Sequence, residues 1–125
     1  MKEKKLLHDH GRNTESVLML MPDTSYYLEA AETFQQLADG TRLRIFWLLC
    51  HVEECVCNIA AAVEMTDAAV SHHLKSLKQN GLIENRREGK EVYYRLADNE
   101  KAHLAHQAVD EYFQITCPNN KNTEA

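Results

Sequence analysis

Residues 66–96 read TDAAVSHHLKSLKQNGLIENRREGKEVYYRL, and a change of hydrophobic period inside this stretch decides the fold. Val70, Leu74 and Leu77 recur at i, i+4 and i+7, which places them on one face of a helix from Asp67 to about Asn80. Thr66 supplies a side-chain oxygen for the N-cap, and Gly81 supplies the left-handed residue that ends a helix. Past Gly81 the pattern is no longer helical. Leu82–Arg87 and Glu91–Leu96 flank Glu88-Gly89-Lys90, which predicts two short strands joined by a glycine-containing turn.

Working outward, a short helix is expected over about Cys57–Val63. A strongly apolar one precedes it, carrying Leu43, Ile45, Phe46, Trp47, Leu48, Leu49 and Cys50 and stopping near Val52–Glu54. Before the Gly40-Thr41 interruption, Asp23 or Thr24 can cap a helix reaching about Ala38, with Tyr27, Ala31, Phe34 and Leu37 at helical spacing. Residues 1–22 read as a mobile arm ending at Pro22. A last helix from about Asn99 to Thr116 is followed by Pro118 and a polar tail over 118–125. This order gives a mainly α (α+β) winged helix–turn–helix with a two-stranded β-hairpin wing, in one domain over residues 23–117.

Composition fits that reading. The chain has 125 residues with 44% hydrophobic and 26% charged side chains, enough to bury a core without disulfides. No apolar run is long enough to span a bilayer, and no apolar signal core follows the charged Met1–Lys5, so a cytoplasmic protein is expected. Three of the four cysteines (Cys50, Cys55 and Cys57, with Cys117 apart) fall within eight positions, which in a reducing compartment points to metal or redox chemistry. The net charge is −5, yet residues 71–95 hold six cations against three carboxylates. One basic segment on an acidic protein suits a reader of DNA.

Ser71, Lys75 and Lys78 form a stripe one position on from the buried one, with His72 beside it. Hydroxyl, imidazole and ammonium groups on one helix face suit base edges and phosphates in a major groove. Thr66 and Ala68 at the start of that helix join the expected DNA-facing set. Arg86, Arg87 and Lys90 at the hairpin tip offer cations to a backbone or an adjacent minor groove. The bland alternative is a solvated amphipathic helix, against which stands the conjunction with a short preceding helix and a basic hairpin.

Four motifs now stand in order: Leu37-Ala38-Asp39-Gly40-Thr41-Arg42-Leu43-Arg44-Ile45, Cys55-Val56-Cys57-Asn58-Ile59-Ala60, Ala69-Val70-Ser71-His72-His73-Leu74-Lys75, and Gly89-Lys90-Glu91-Val92-Tyr93-Tyr94-Arg95-Leu96. Over about residues 30–116 the chain resembles the ArsR/SmtB family of metal-sensing bacterial repressors. Gly40 stands where that family usually has Pro. The resemblance implies a homodimer through the first and last helices, with the Ser-His helix in the major groove of operator DNA. It implies release when an inducer binds, and control of metal resistance or efflux genes.

Cys55 and Cys57 are the strongest chemical signal. Positions two apart on a regular helix point about 200° apart, so the two thiolates can share an ion only at a helix entrance, which the break at Val52–Glu54 provides. Thiolates favour Zn²⁺ and softer ions such as Cd²⁺ or Pb²⁺, and zinc takes four ligands. His8 and His10 in the arm are the candidates for the missing donors. The cadmium, lead and zinc branch of the family is the most similar: its Cys-x-Cys binds metal with N-terminal cysteines from the other protomer. Here the histidines would replace those cysteines, an S₂N₂ set that suits Zn²⁺ better than Pb²⁺.

The family's second site, on the last helix, falls here on Asp98, Glu100, Glu111 and Gln114, without either histidine. His103 and His106, with Asp110 a turn beyond, are a variant set on one helix face, although surface histidines are the commoner reading. Cys50 reads as core filling, and His51 as a surface residue or spare ligand. The alternative function is a thiol or persulfide redox-sensing repressor of the same fold using Cys50 and Cys117, each about one turn beyond the position the family resemblance implies. An enzyme is not expected, since Cys-x-Cys lacks thioredoxin-like spacing and neither a Gly-rich phosphate loop nor a nucleophile elbow is present.

Overall fold

Phe46, Ile45 and Leu49 are at most 2% exposed, and the structure is arranged around the helix that carries them. The computed structural model describes residues 6–114. Its elements run α1 (Thr14–Leu20), α2 (Thr24–Gln36), α3 (Gly40–His51), β1 (Glu54–Cys55), α4 (Val56–Val63), α5 (Asp67–Gln79), β2 (Ile83–Glu88), β3 (Glu91–Leu96) and α6 (Glu100–Phe113). None of the described helices is long and apolar enough to cross a membrane.

The chain divides after Ala31 into two compact units. In the N-terminal unit, residues 14–20 of the expected arm are helical; α1 buries no residue, and Val17, Met19 and Leu20 are exposed. The larger unit is the winged helix–turn–helix. Its core joins α3 to Ile59, Ala60 and Val63 of α4, Val70, Leu74 and Leu77 of α5, Leu82 and Ile83, and Ala105 of α6.

The helix boundaries follow from capping. Asp39 Oδ1 accepts from Arg42 N at 2.9 Å, Thr66 Oγ1 from Ala69 N at 3.1 Å, and Asn99 Oδ1 from Ala102 N at 2.8 Å. Each oxygen satisfies an amide that has no partner within its own helix. Gly81 takes the expected left-handed conformation (φ +73). Asn99 Nδ2 then donates to Gly81 O at 2.9 Å, tying the end of the α5 turn to the start of α6.

The wing departs from the two-stranded expectation. β2 and β3 pair antiparallel over the full hairpin, but Glu54 and Cys55 add a third strand on the other edge of β3, in register with Tyr94 and Tyr93. α4 begins one residue earlier than expected because Cys55 is its extended N-cap (φ −83, ψ 164).

Candidate nucleic-acid interface and metal donors

The turn into α5 is made by Glu64 in the left-handed conformation (φ 58), followed by Met65 and the Thr66 cap. With Val70, Leu74 and Leu77 buried, the 100° step of the helix leaves Thr66, Ala68, Ser71, His72, Lys75 and Lys78 exposed together. His73, half-buried between the stripes, has another task. Its Nδ1 accepts from Arg42 Nε at 3.2 Å, and Gln36 Oε1 accepts from both Arg42 Nη1 (3.3 Å) and Ser76 Oγ (2.6 Å). Burial, more than any nearby charge, pushes the His73 pKa down, favouring the neutral ring this bond needs. Residues outside the reading face thus fix the roll of α5 on α3.

At the wing all three predicted cations are exposed, but they are not equivalent. Arg86 is held by Glu53 (2.6 and 2.9 Å) and Glu88 (3.1 Å) and lies over the Tyr93 ring at 5.2 Å. Those carboxylates raise its pKa further, and hydrogen bonding from Arg86 lowers that of Glu53. Arg86 therefore braces the wing. Arg87 donates to Gly89 O at 3.3 Å, and Lys90 forms no ion pair among the described residues.

The two thiols straddle the strand–helix junction. Cys55 is half-buried in β1 and makes no side-chain cap, while Cys57 sits exposed in the first turn of α4. Cys57 Sγ lies 3.4 Å from Asp67 Oδ2, and that hydrogen bond, with the carboxylate's charge, pushes the thiol pKa up. Asp67 thus favours the protonated form of the Cys57 thiol. Asp67→Asn should lower the pKa and speed alkylation of Cys57 by iodoacetamide near pH 8, since the thiolate is the nucleophile. An unchanged rate would disprove this coupling. His8 and His10 lie in the N-terminal unit, exposed, with rings 17° from parallel and centroids 5.7 Å apart. Asp9 between them accepts from Gly11 N at 2.9 Å.

The last helix separates the histidines that the spacing had grouped. His103 is exposed and reaches back to Asp98 at 3.1 Å, while Glu100 and Glu111 are also exposed. His106 turns inward, with Nε2 2.8 Å from Asp110 Oδ2. His51, expected at the surface, joins them instead: its side chain is 7% exposed and Nε2 is 3.6 Å from Asp110 Oδ1. The sequence names Asp110 with the last-helix histidines, but not its burial alongside Ala102 and Ala105, where a carboxylate must find partners. Cys50 packs against the core, as expected, and Cys117 lies outside the described residues.

The sequence profile described as "Bacterial regulatory protein, arsR family" matches residues 39–85, from the α3 cap into β2. A "Transcriptional repressor SmtB homolog" from Synechocystis sp. is 40% identical over 99 residues, covering 77% of this chain and 75% of that protein. A "Cadmium resistance transcriptional regulatory protein CadC homolog" from Staphylococcus aureus is 40% identical over 82 residues, covering 65% and 68%. The solution structure of a homodimeric winged helix-turn-helix DNA-binding domain from Mycobacterium bovis superposes with TM-score 0.64 at 32% identity, covering 84% of this chain and 96% of that one. With the fold, the turn into α5 and these likenesses agreeing, the chain belongs to the arsR family of bacterial regulatory proteins and is a transcriptional regulator, not an enzyme.

Proposed function

We propose that the protein is a metal-responsive repressor that binds operator DNA as a homodimer and leaves it when an ion of the Zn²⁺, Cd²⁺ or Pb²⁺ type binds. The observation that carries the DNA half is the exposed Ser71, His72, Lys75 and Lys78 stripe, backed by the buried Val70, Leu74 and Leu77. One such helix reads a half-site, so a two-fold symmetric duplex requires two protomers. The exposed Leu104, Tyr112 and Phe113 on α6, and Tyr26, Tyr27 and Leu28 on α2, give these two helices apolar surface for that pairing.

The metal half rests on Cys55 and Cys57, with His8 and His10 of the 1–22 arm as further donors. The relatives named for cadmium resistance, and one named an arsenical resistance operon repressor, support an ion as the signal. Cys55 lies in extended backbone just outside α4, so the roughly 200° separation of a regular helix does not apply to the pair. When bound, the ion supplies a fixed charge and a cross-link. By linkage, an ion that prefers the DNA-free form must weaken DNA binding by the same factor.

The test is fluorescence anisotropy with duplexes selected from a random pool, titrated in parallel with Zn²⁺, Cd²⁺, Pb²⁺ and arsenite. Ser71→Ala with His72→Ala should reduce discrimination between selected and unselected duplexes, by about 1–3 kcal/mol for each well-formed hydrogen-bonded pairing with a base edge that the change removes. Lys90→Ala should weaken binding evenly across sequences and reduce the salt dependence. Selective binding that survives the double change intact would remove α5 from the interface.

A further inference from the structure

We propose that His51, His106 and Asp110 form a second metal site, inside one protomer between α3 and α6, that takes Zn²⁺ in preference to thiophilic ions. Among the described residues this is the one group of three or more His, Cys, Asp or Glu side chains whose donor atoms all lie within 4.8 Å of one another. The three side chains are 7%, 17% and 11% exposed, so the donors converge in a nearly dry place.

The distances suit one small ion. With metal–ligand bonds of about 2.0–2.1 Å, donors on a tetrahedral zinc sit about 3.3 Å apart. Here His51 Nε2 is 3.6 Å from Asp110 Oδ1, and His106 Nε2 is 2.8 Å from Asp110 Oδ2. His106 Nε2 is buried and faces Asp110 Oδ2 at that short distance. The rings of His51 and His106 meet edge to face, centroids 4.9 Å apart, which directs two imidazoles toward a common point without stacking.

A supporting shell is present as well. Trp47 Nε1 donates to Asp110 Oδ1 at 3.0 Å, orienting the carboxylate as outer partners of metal ligands do. Three protein donors leave a fourth position for water. Two imidazoles and a carboxylate suit Zn²⁺, whereas thiolates suit softer ions, so this site and the Cys55–Cys57 pair would differ in preference. It also differs from the last-helix positions implied by the family resemblance, Asp98, Glu100, Glu111 and Gln114, none of which contributes. Occupancy would join the C-terminal end of α3, three residues before β1, to the middle of α6.

The experiment uses the full chain carrying Cys55→Ser and Cys57→Ser, which removes the thiol pair. Equilibrium dialysis with Zn²⁺ alone should give one ion per protomer, and the thermal midpoint should rise with zinc. Co²⁺ in its place should give visible d–d bands without sulfur charge transfer. Adding His51→Gln or His106→Gln should abolish all three signals, and Trp47→Phe should weaken zinc binding roughly 10–100-fold. His103→Gln, outside the cluster, should change nothing. If the folded double-serine protein shows no cobalt bands and no bound zinc, the three residues are an ion-pair cluster and the proposal is overturned. Zinc retained by the added His51→Gln and His106→Gln variants would overturn it equally.

Discussion

Cys55→Ser is expected to abolish the ion-induced loss of DNA affinity, about 5–150-fold for a typical coupling, while the metal-free protein binds its duplex as before. The separation follows from how Cys55 is held. Its backbone pairs with Tyr93 in the sheet and its extended conformation starts α4, and neither depends on sulfur. Its side chain forms no cap bond, so serine at the same place loses nothing structural and is a good N-cap residue. What serine lacks is a thiolate. Absorption from thiolate-to-Cd²⁺ charge transfer should therefore appear in the wild type and be lost or much reduced in the variant. Deleting residues 1–12, and with them His8 and His10, should weaken metal binding and blunt release while sparing metal-free DNA affinity. An unchanged charge-transfer band in Cys55→Ser would move the site to Cys50 or Cys117.

Phe46→Ala should cost about 3–5 kcal/mol of stability, as large-to-alanine changes at fully buried aromatic positions do. Phe46 is 0% exposed and lies in the core where α3 meets the other helices and the wing strands. Against a total of about 5–15 kcal/mol for a domain, such a loss brings the fold near its limit. Denaturant midpoints at one fixed protein concentration check this, because dimerisation would otherwise shift the apparent stability. A loss below about 1 kcal/mol would mean that the cavity collapses or that α3 is not the centre of the core.

The helix–turn–helix and wing were legible because their signals are local. Thr66 caps, Gly81 turns left-handed, and Val70, Leu74 and Leu77 mark a face, all within 16 residues. β1 was not legible: two residues carry no period, and they are a strand only because β3 offers a free edge to pair with. The short α1 was missed for a related reason, since it buries no side chain and so shows no amphipathic stripe. The candidate DNA-facing residues could be named from helical spacing, but the difference between Arg86 and Lys90 could not, because Glu53 stands 33 positions from Arg86. His103 and His106 shared a face on paper. In the fold the line between buried and exposed runs between them, and the partner that draws His106 inward is Asp110, itself bonded to Trp47 from 63 positions away.

The pairing of Cys55 with Tyr93 has a mechanical consequence. Tyr93 carries the Arg86 guanidinium on its ring, Arg86 grips Glu53, and Glu53 leads through Glu54 back to Cys55. The candidate sensor residue and the base of the wing are therefore links in one closed ring, braced by backbone ladder bonds on one side and a charged clasp on the other. Such a ring would turn as a piece rather than hinge. A pull at Cys55 would swing the hairpin as a lever with its fulcrum in the sheet, and amide exchange along β3 should stay slow with or without an ion. Breaking the clasp with Glu53→Gln would let the lever bend, so that the same pull would be spent in local flexing before it reached the hairpin tip.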